Sequence, residues 1–493
     1  MARSPRASGT CASTTAPCGS SRTSGPWAHR HRPRCMAARS CRPWSSRTST
    51  SPAGRRSSRR EAGMDYPELA RGALEAALAD HVEVLVEGYD EAVTRFSGNA
   101  ISQNVAKSVV ECTLRVAFGQ KVGQATTTDL TPEGVAAALR RAEDIARSSA
   151  PDPEYLPPPG PQEHPEVDAH DPATGELGPS ERAAAVALTA GLSQEAGVDS
   201  SGSYTSGQRR VFLANSSGLT TSQARSFAKF TVSTSAETGG SGWAEGVSHR
   251  AADLDVEALA RRAIGKATTG GEPVAATPGP TTVVLEPAAF AGLMGFVAWT
   301  LDAKEADEGR SPWSGKVGDK FGLDSLNMRS DPLDPRLAGD PMTEDGLAAR
   351  RVEWIESGVL KQLAYSRFWA KEKGVEPTGF CENLVVDGGQ GADSDLVSQV
   401  EDGVLVTRFW YMNFVDEMAL SITGMTRGGL FRIQGGEVTG ALTNLRFNDT
   451  PFGFLKRVRA MGAPVLTNTE FDEAMVCPPV VIDDFHFTSG TSF

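Results

Sequence analysis

Apolar and polar positions alternate along most of the chain in two rhythms, one helical and one strand-like. Leu69, Ala70, Ala73, Leu74, Ala77 and Leu78 recur at helical spacing just after Pro67 and Glu68, which predicts an opening helix. Strand alternation follows in residues 81–87 and 109–118, with Gly88, Gly119 and Gly123 as bounds, and suits a half-buried sheet. Thr131-Pro132-Glu133 supplies a capping hydroxyl and a proline at the first helical position. The predicted helix continues through Val135, Leu139, Ala142 and Ile145. Residues 151–163 are rich in proline and read as an extended connector.

A second helix–sheet set comes next. It has a helix over Ser180–Leu192, strands near Arg210–Leu213 and Ser226–Ser233, and a helix over Asp255–Lys266 with Val256, Leu259, Ala260, Ala263 and Ile264 on one face. Thr277-Pro-Gly-Pro280 marks the clearest boundary. Beyond it, a short strand Thr281–Leu285 passes through Glu286 and Pro287 into a helix predicted from about Ala288 to Glu308. From about residue 350 strands and turns dominate, with turn-to-strand signals at Glu356–Leu360, Glu401–Leu405 and Gln434–Val438. The expected fold is α+β in two domains. A mixed helix–sheet domain over 64–279 precedes a C-terminal domain over 280–493 that is mainly an antiparallel sheet or barrel-like.

Composition changes the picture at the N-terminus. Residues 1–60 hold 13 Arg but no Lys, Asp, Glu, Leu, Ile, Val or Phe. Such a stretch cannot bury enough apolar surface to offset its ordering entropy. Residues 1–63 are therefore expected to be a disordered leader, with the native chain starting at Met64. The whole chain has 49 basic and 61 acidic residues, and without the 13 leader arginines the balance is 36 to 61. That acidity argues against non-specific nucleic-acid binding, which needs clustered Lys and Arg. Outside the leader only Cys112, Cys381 and Cys477 occur, which gives no disulfide framework and suits a reducing cytoplasm. No apolar run approaches the length of a membrane span.

The C-terminal third carries the most specific strings. Gly424-Met-Thr-Arg-Gly-Gly-Leu-Phe-Arg-Ile-Gln-Gly-Gly-Glu-Val438 is followed by Thr443-Asn-Leu-Arg-Phe-Asn448 and preceded by Gly403-Val-Leu-Val-Thr-Arg-Phe-Trp410. Together with Gly309-Arg-Ser-Pro-Trp-Ser-Gly-Lys-Val-Gly-Asp-Lys320, they resemble the TldD/PmbA family of bacterial metallopeptidase-related proteins. The likeness covers roughly residues 66–490. It implies a dimer enclosing a peptide-degrading chamber, with zinc held in TldD-type members by H-E-x-x-x-H on a helix and a distant Cys. In that motif two His about one turn apart point the same way, and the Glu can act on metal-bound water.

This chain departs from the motif. Aligned on Glu305-Ala-Asp307, the histidine positions hold Val297 and Asp302, and Ala298 replaces the Glu. The chain has no His-Glu pair, and after His249 its one histidine is His486. Cys477, in Cys-Pro-Pro, reads as a packed thiol rather than a ligand. The acids Asp302, Glu305, Asp307 and Glu308 read as a solvated helix end rather than a metal site. Catalytic and metal-binding residues are expected to be none, and no cofactor is expected in this chain. Thr426, Arg427, Gly428 and Gly429 are candidate peptide-binding residues, because glycines allow close backbone approach and Arg can pair a peptide carboxylate. A structural turn is the competing reading. The tryptophans read mostly as core, and the glycine-rich Thr238–Ala244 lacks the context of a phosphate loop.

The functional expectation is a non-catalytic or regulatory subunit of a TldD/TldE-type complex that processes unfolded peptides. Zinc would reside in a TldD-type partner subunit, and the location would be cytoplasmic. Two alternatives remain: a peptidase active alone through a divergent metal site, and a homo-oligomeric peptide-binding scaffold. A chain beginning at Met64 is expected to fold as well as the full chain. Comparing the two thermal transitions checks this, and a Tm loss of more than a few degrees in the shorter chain would refute it.

Overall fold

In the computed structural model, the described residues are 65–491 without 470 and 472. The expectation for residues 1–63 lies outside them. The opening helix runs Tyr66–Ala76, where Asp65 caps it by accepting from the Glu68 amide at 3.0 Å. Six strands then form an antiparallel sheet: β1 (His81–Ser97), β2 (Ala100–Phe118), β3 (Lys121–Thr127), β4 (Val198–Asn215), β5 (Thr220–Ala236) and β6 (Ser241–Ser248). Their order is β3-β2-β1-β4-β5-β6.

The strands run far beyond the apolar stretches that predicted them. Gly88, expected to bound β1, lies inside it, where an added Cβ would come within 3.3 Å of the Tyr66 hydroxyl. The turn falls instead at Gly98 and Asn99, with φ +57° and +60°, as a two-residue hairpin requires. Helices Pro132–Ser148, Pro179–Glu195 and Val256–Thr268 supply the apolar cover. The caps expected at Thr131 and Asp255 are present, with side-chain acceptors 3.1 and 2.9 Å from the amides of Gly134 and Ala258.

The remaining strands make two further sheets. One contains β7 (Gly279–Leu285), β12 (Asp402–Asp416), β13 (Ser421–Gln434), β14 (Glu437–Leu442), β15 (Leu445–Asp449), β16 (Val458–Met461) and β19 (Val480–Gly490). The other contains β8 (Met328–Ser330), β9 (Val352–Glu356), β10 (Val359–Leu360), β11 (Leu384–Val386), β17 (Val465–Asn468) and β18 (Ala474–Cys477). β12 pairs with both β7 and β13, so the first sheet curls, yet the C-terminal part is sheet-rich rather than one closed barrel. The architecture is a mixed α+β fold.

Both sheets pack on the helix Pro287–Trp299, whose residues from Ala289 to Val297 are all buried. A helix apolar on every face belongs inside a core. It stops earlier than the apolar pattern predicts. The Thr300 hydroxyl turns back to the carbonyls of Phe296 and Val297 at 3.1 and 3.0 Å, and it accepts from the Trp313 indole at 2.9 Å. Asp302 then caps a separate short helix, Ala303–Asp307. The single predicted helix is thus two.

A buried ionic cluster ties the first sheet's cover to this core. Glu286, which precedes the central helix, accepts from Lys266 at 2.7 Å and from Arg262 at 3.2 Å. Arg262 also reaches Asp393, and Lys266 donates to the Trp243 carbonyl at 3.2 Å. Glu286→Gln would leave the nearly buried Lys266 ammonium without its anion, while the exposed Arg262 keeps Asp393, and is expected to cost about 3 kcal/mol. Urea denaturation of the variant measures this, and a cost below about 1 kcal/mol would refute it.

Candidate functional site

The Gly424–Val438 string forms β13 and its turn into β14, and it pairs with β12 across a long hairpin. Arg408 and Arg427 lie directly opposite each other there. Like charges in that position repel, and each guanidinium is drawn onto a different indole. Arg427 stacks on Trp410 at 4.1 Å and Arg408 on Trp243 at 4.7 Å. Gly428 and Gly429 have φ of +73° and +118°. A Cβ on Gly428 would lie 2.5 Å from that of Trp243, and one on Gly429 would lie 2.5 Å from the Phe431 ring. The glycine pair therefore lets the hairpin close on β6. Thr426 is buried; its hydroxyl donates to Asn444 at 3.1 Å and accepts from the Leu445 amide at 2.9 Å.

Of the four candidate residues, Arg427 alone presents an exposed side chain. Around it the hairpin exposes Trp410, Tyr411, Val415 and Met418, with Tyr411 in the left-handed region at φ +55°. Trp299 is half exposed and meets Phe471 at a tilt, with ring centroids 5.3 Å apart, and Phe471 in turn meets Phe296 at 5.1 Å. Trp313 and Trp354 are core residues, as the tryptophan pattern suggests. His249 is buried and His486 exposed.

Where the resemblance places metal ligands, the chain is apolar. Val297 and Cys477 are fully buried in one cluster with Leu293, Met294 and Met475. Burial alone pushes the Cys477 thiol well above its ordinary value, away from the thiolate that binds metal. Asp302 spends its carboxylate on the Glu305 amide at 2.8 Å. Among the described residues no group of three or more His, Cys, Asp or Glu side chains could hold a metal ion.

Beside this core lies an acidic region that the sequence did not single out. The Glu382 side chain is exposed on one side and crowded by protein on the other. Burial pushes its carboxyl up to about 7, aided by Asp340, Glu344 and Glu473 and opposed by Arg209. Burial also raises Glu473 and Asp302. Asp340 anchors the region, accepting from Gln223 at 3.2 Å and facing Arg225 at 3.7 Å. It also borders a cavity of about 450 Å³ lined by Gln162, His164, Thr220 and Gln223. Protonated carboxyls in such a cleft can donate hydrogen bonds to backbone carbonyls. No local motif marks Glu382 or Glu473, because folding brings them together across about ninety residues of chain.

Comparison with known proteins places the chain in a class. Residues 82–146 match the PmbA/TldA metallopeptidase domain 1, residues 126–270 its central domain, and residues 278–489 its C-terminal domain. The chain belongs to the PmbA/TldD metallopeptidase family. A metalloprotease from Methanothermobacter thermautotrophicus is 26% identical over 176 residues, which span 33% of this chain and 38% of that relative. The match thus covers well under half of the relative's length. The crystal structure of TldE from Thermococcus kodakarensis shares the fold with a TM-score of 0.76 at 20% identity, over 86% of this chain and 99% of that one. A proposed modulator of a DNA gyrase from Thermotoga maritima gives 0.76 at 17% identity, over 86% of this chain and all of the other. Zinc, which the family implies, does not fit the residues at the positions the resemblance indicates, since Val297 and Ala298 offer no donor, Asp302 is bonded to the Glu305 amide and Cys477 is a thiol buried in the apolar core.

Glu382 gives a pH signature. An acid whose folded pKa is raised contributes stability that is complete below its ordinary value of 4.5 and is lost as pH rises through about 7. Glu382→Gln and the parent chain are expected to match at pH 4.5, with the variant the more stable at pH 8. Urea midpoints at the two pH values check this, and a parallel shift at both would refute it.

Proposed function

We propose that this chain is a non-catalytic subunit of a TldD/TldE-type metallopeptidase. In that assembly it pairs with a zinc-bearing, TldD-type subunit in the cytoplasm and helps to hold unfolded peptide. The observation that carries the reading is the buried Val297–Cys477 core at the place where the family's zinc-binding members keep their ligands. With Val297 packed in the core and Asp302 capping the next helix, neither histidine position offers a ligand to hold a metal that could activate a water, while the surrounding segments keep their family pattern. Arg427, stacked on Trp410 beside exposed Tyr411, offers a rigid cationic and aromatic surface for a peptide. Among the described residues no helix is long and apolar enough to cross a membrane, which is consistent with this setting.

Co-expression tests the proposal. The chain alone is expected to bind no stoichiometric zinc and to cleave no peptide. With a TldD-type subunit it is expected to co-elute, and the pair to degrade an unfolded peptide. Arg427→Ala should lower peptide turnover by the pair about tenfold while leaving co-elution intact, a loss of roughly 1.4 kcal/mol. Separate elution together with full activity of the zinc-bearing subunit alone would overturn the reading, as would chelator-sensitive cleavage by this chain alone.

A further inference from the structure

The β1–β2 hairpin carries an edge that nothing above uses. β2 pairs with β1 from Ala100 to Ala117, but β3 covers it only from Cys112 to Phe118. Among the described residues, Ala100–Lys107 therefore has a strand on one side only. All eight of these residues are exposed, on both faces of the sheet. At about 3.4 Å per residue the open ladder is about 27 Å long.

Proteins commonly blunt such edges with prolines, bulges or several charges. This one is Ala-Ile-Ser-Gln-Asn-Val-Ala-Lys, with no proline and one charge, Lys107, directly opposite Glu91; its one register shift falls at Ser102, between the Phe96–Ile101 and Arg95–Gln103 pairs, and leaves Gln103–Lys107 in regular register. Its backbone is also held in place. Asn99, in the turn, accepts from the Ser200 amide at 2.8 Å and donates to the Val198 carbonyl at 2.9 Å, which clamps the hairpin to β4. A preformed, nearly neutral row of N–H and C=O groups is what an added strand needs.

We propose that the Ala100–Lys107 edge binds an extended, unfolded peptide as an added strand, read mainly through its backbone. Two other occupants fit less well. A second copy paired edge to edge would bury few apolar side chains, since this stretch exposes only Ile101 and Val105 as large apolar residues. The chain's own residues 1–60 lack Val, Ile and Phe and are rich in Arg and Ser, a poor composition for a strand. The inference rests on the peptide-handling role proposed above for its ligand class, and it concerns a second contact away from Arg427.

Fluorescence anisotropy on the full chain tests it, with a labelled ten-residue peptide of alternating Thr and Val as the probe. Alternate amides of a strand point to opposite sides. N-methylation of one alternate set is therefore expected to weaken binding at least tenfold, and of the other set less than threefold. Peptide binding should also slow hydrogen exchange of amides within Ser102–Ala106. Asn104 and Val105 point their amides to opposite sides, so whichever of Asn104→Pro and Val105→Pro removes the amide facing away from β1, with the thermal transition retained, should reproduce the tenfold loss. Equal affinity for both methylated peptides, or protection confined to other segments, would overturn the inference. So would a dimer of the parent chain that the proline variants make monomeric. Co-elution with a zinc-bearing subunit is read separately, so its failure with edge binding intact removes the partner reading and leaves this one.

Discussion

Glu286 is the point on which the arrangement turns. Its amide donates to the Val406 carbonyl at 3.1 Å, which fixes β12 at the start of the central helix. Its carboxylate gathers Lys266 and Arg262 from the helix that covers the first sheet. Burial pushes the Lys266 ammonium below its ordinary value, while the Glu286 charge works to hold it up. A buried anion shared by two cations costs desolvation but leaves little geometric freedom. One carboxylate thereby sets the helix, the hairpin and the first sheet relative to one another.

With that junction set, the hairpin can close only if its surface allows it. Gly428 and Gly429 remove the atoms that would strike Trp243 and Phe431, and Gly292 removes one that would lie 2.6 Å from the Met412 methyl. Close backbone approach brings Arg408 against Arg427, and the two indoles divide that charge between opposite sides. The exposed Trp410–Arg427 pair thus follows from packing beneath it.

The central helix shows apolar packing where the resemblance would place metal ligands. Phe290, Leu293, Met294 and Val297 contribute to a core that also holds Phe447, Phe485 and Cys477. Apolar side chains at a ligand position add dispersion and transfer energy, where buried histidines would need partners. The region nearby is acidic, and burial raises the Glu382 and Glu473 carboxyls.

Local chemistry settled much of this in advance. Caps at Thr131 and Asp255, prolines at helix starts, and the Ser357-Gly358 turn act within a few residues, so the sequence states them directly. The family strings likewise identify the fold and the loss of the zinc motif. Other features depend on distant partners. The long polar halves of β1 and β2 exist because neighbouring strands extend them, beyond the reach of the apolar pattern that predicted the strands. The helix break at Thr300 needs Trp313, and the glycine pair needs Trp243. The raised Glu382 needs burial and three other acids from separate segments. Sequence specifies interactions whose partners lie within a turn or two of chain, whereas pairing, burial and field strength arise only when the folded chain brings remote residues into contact.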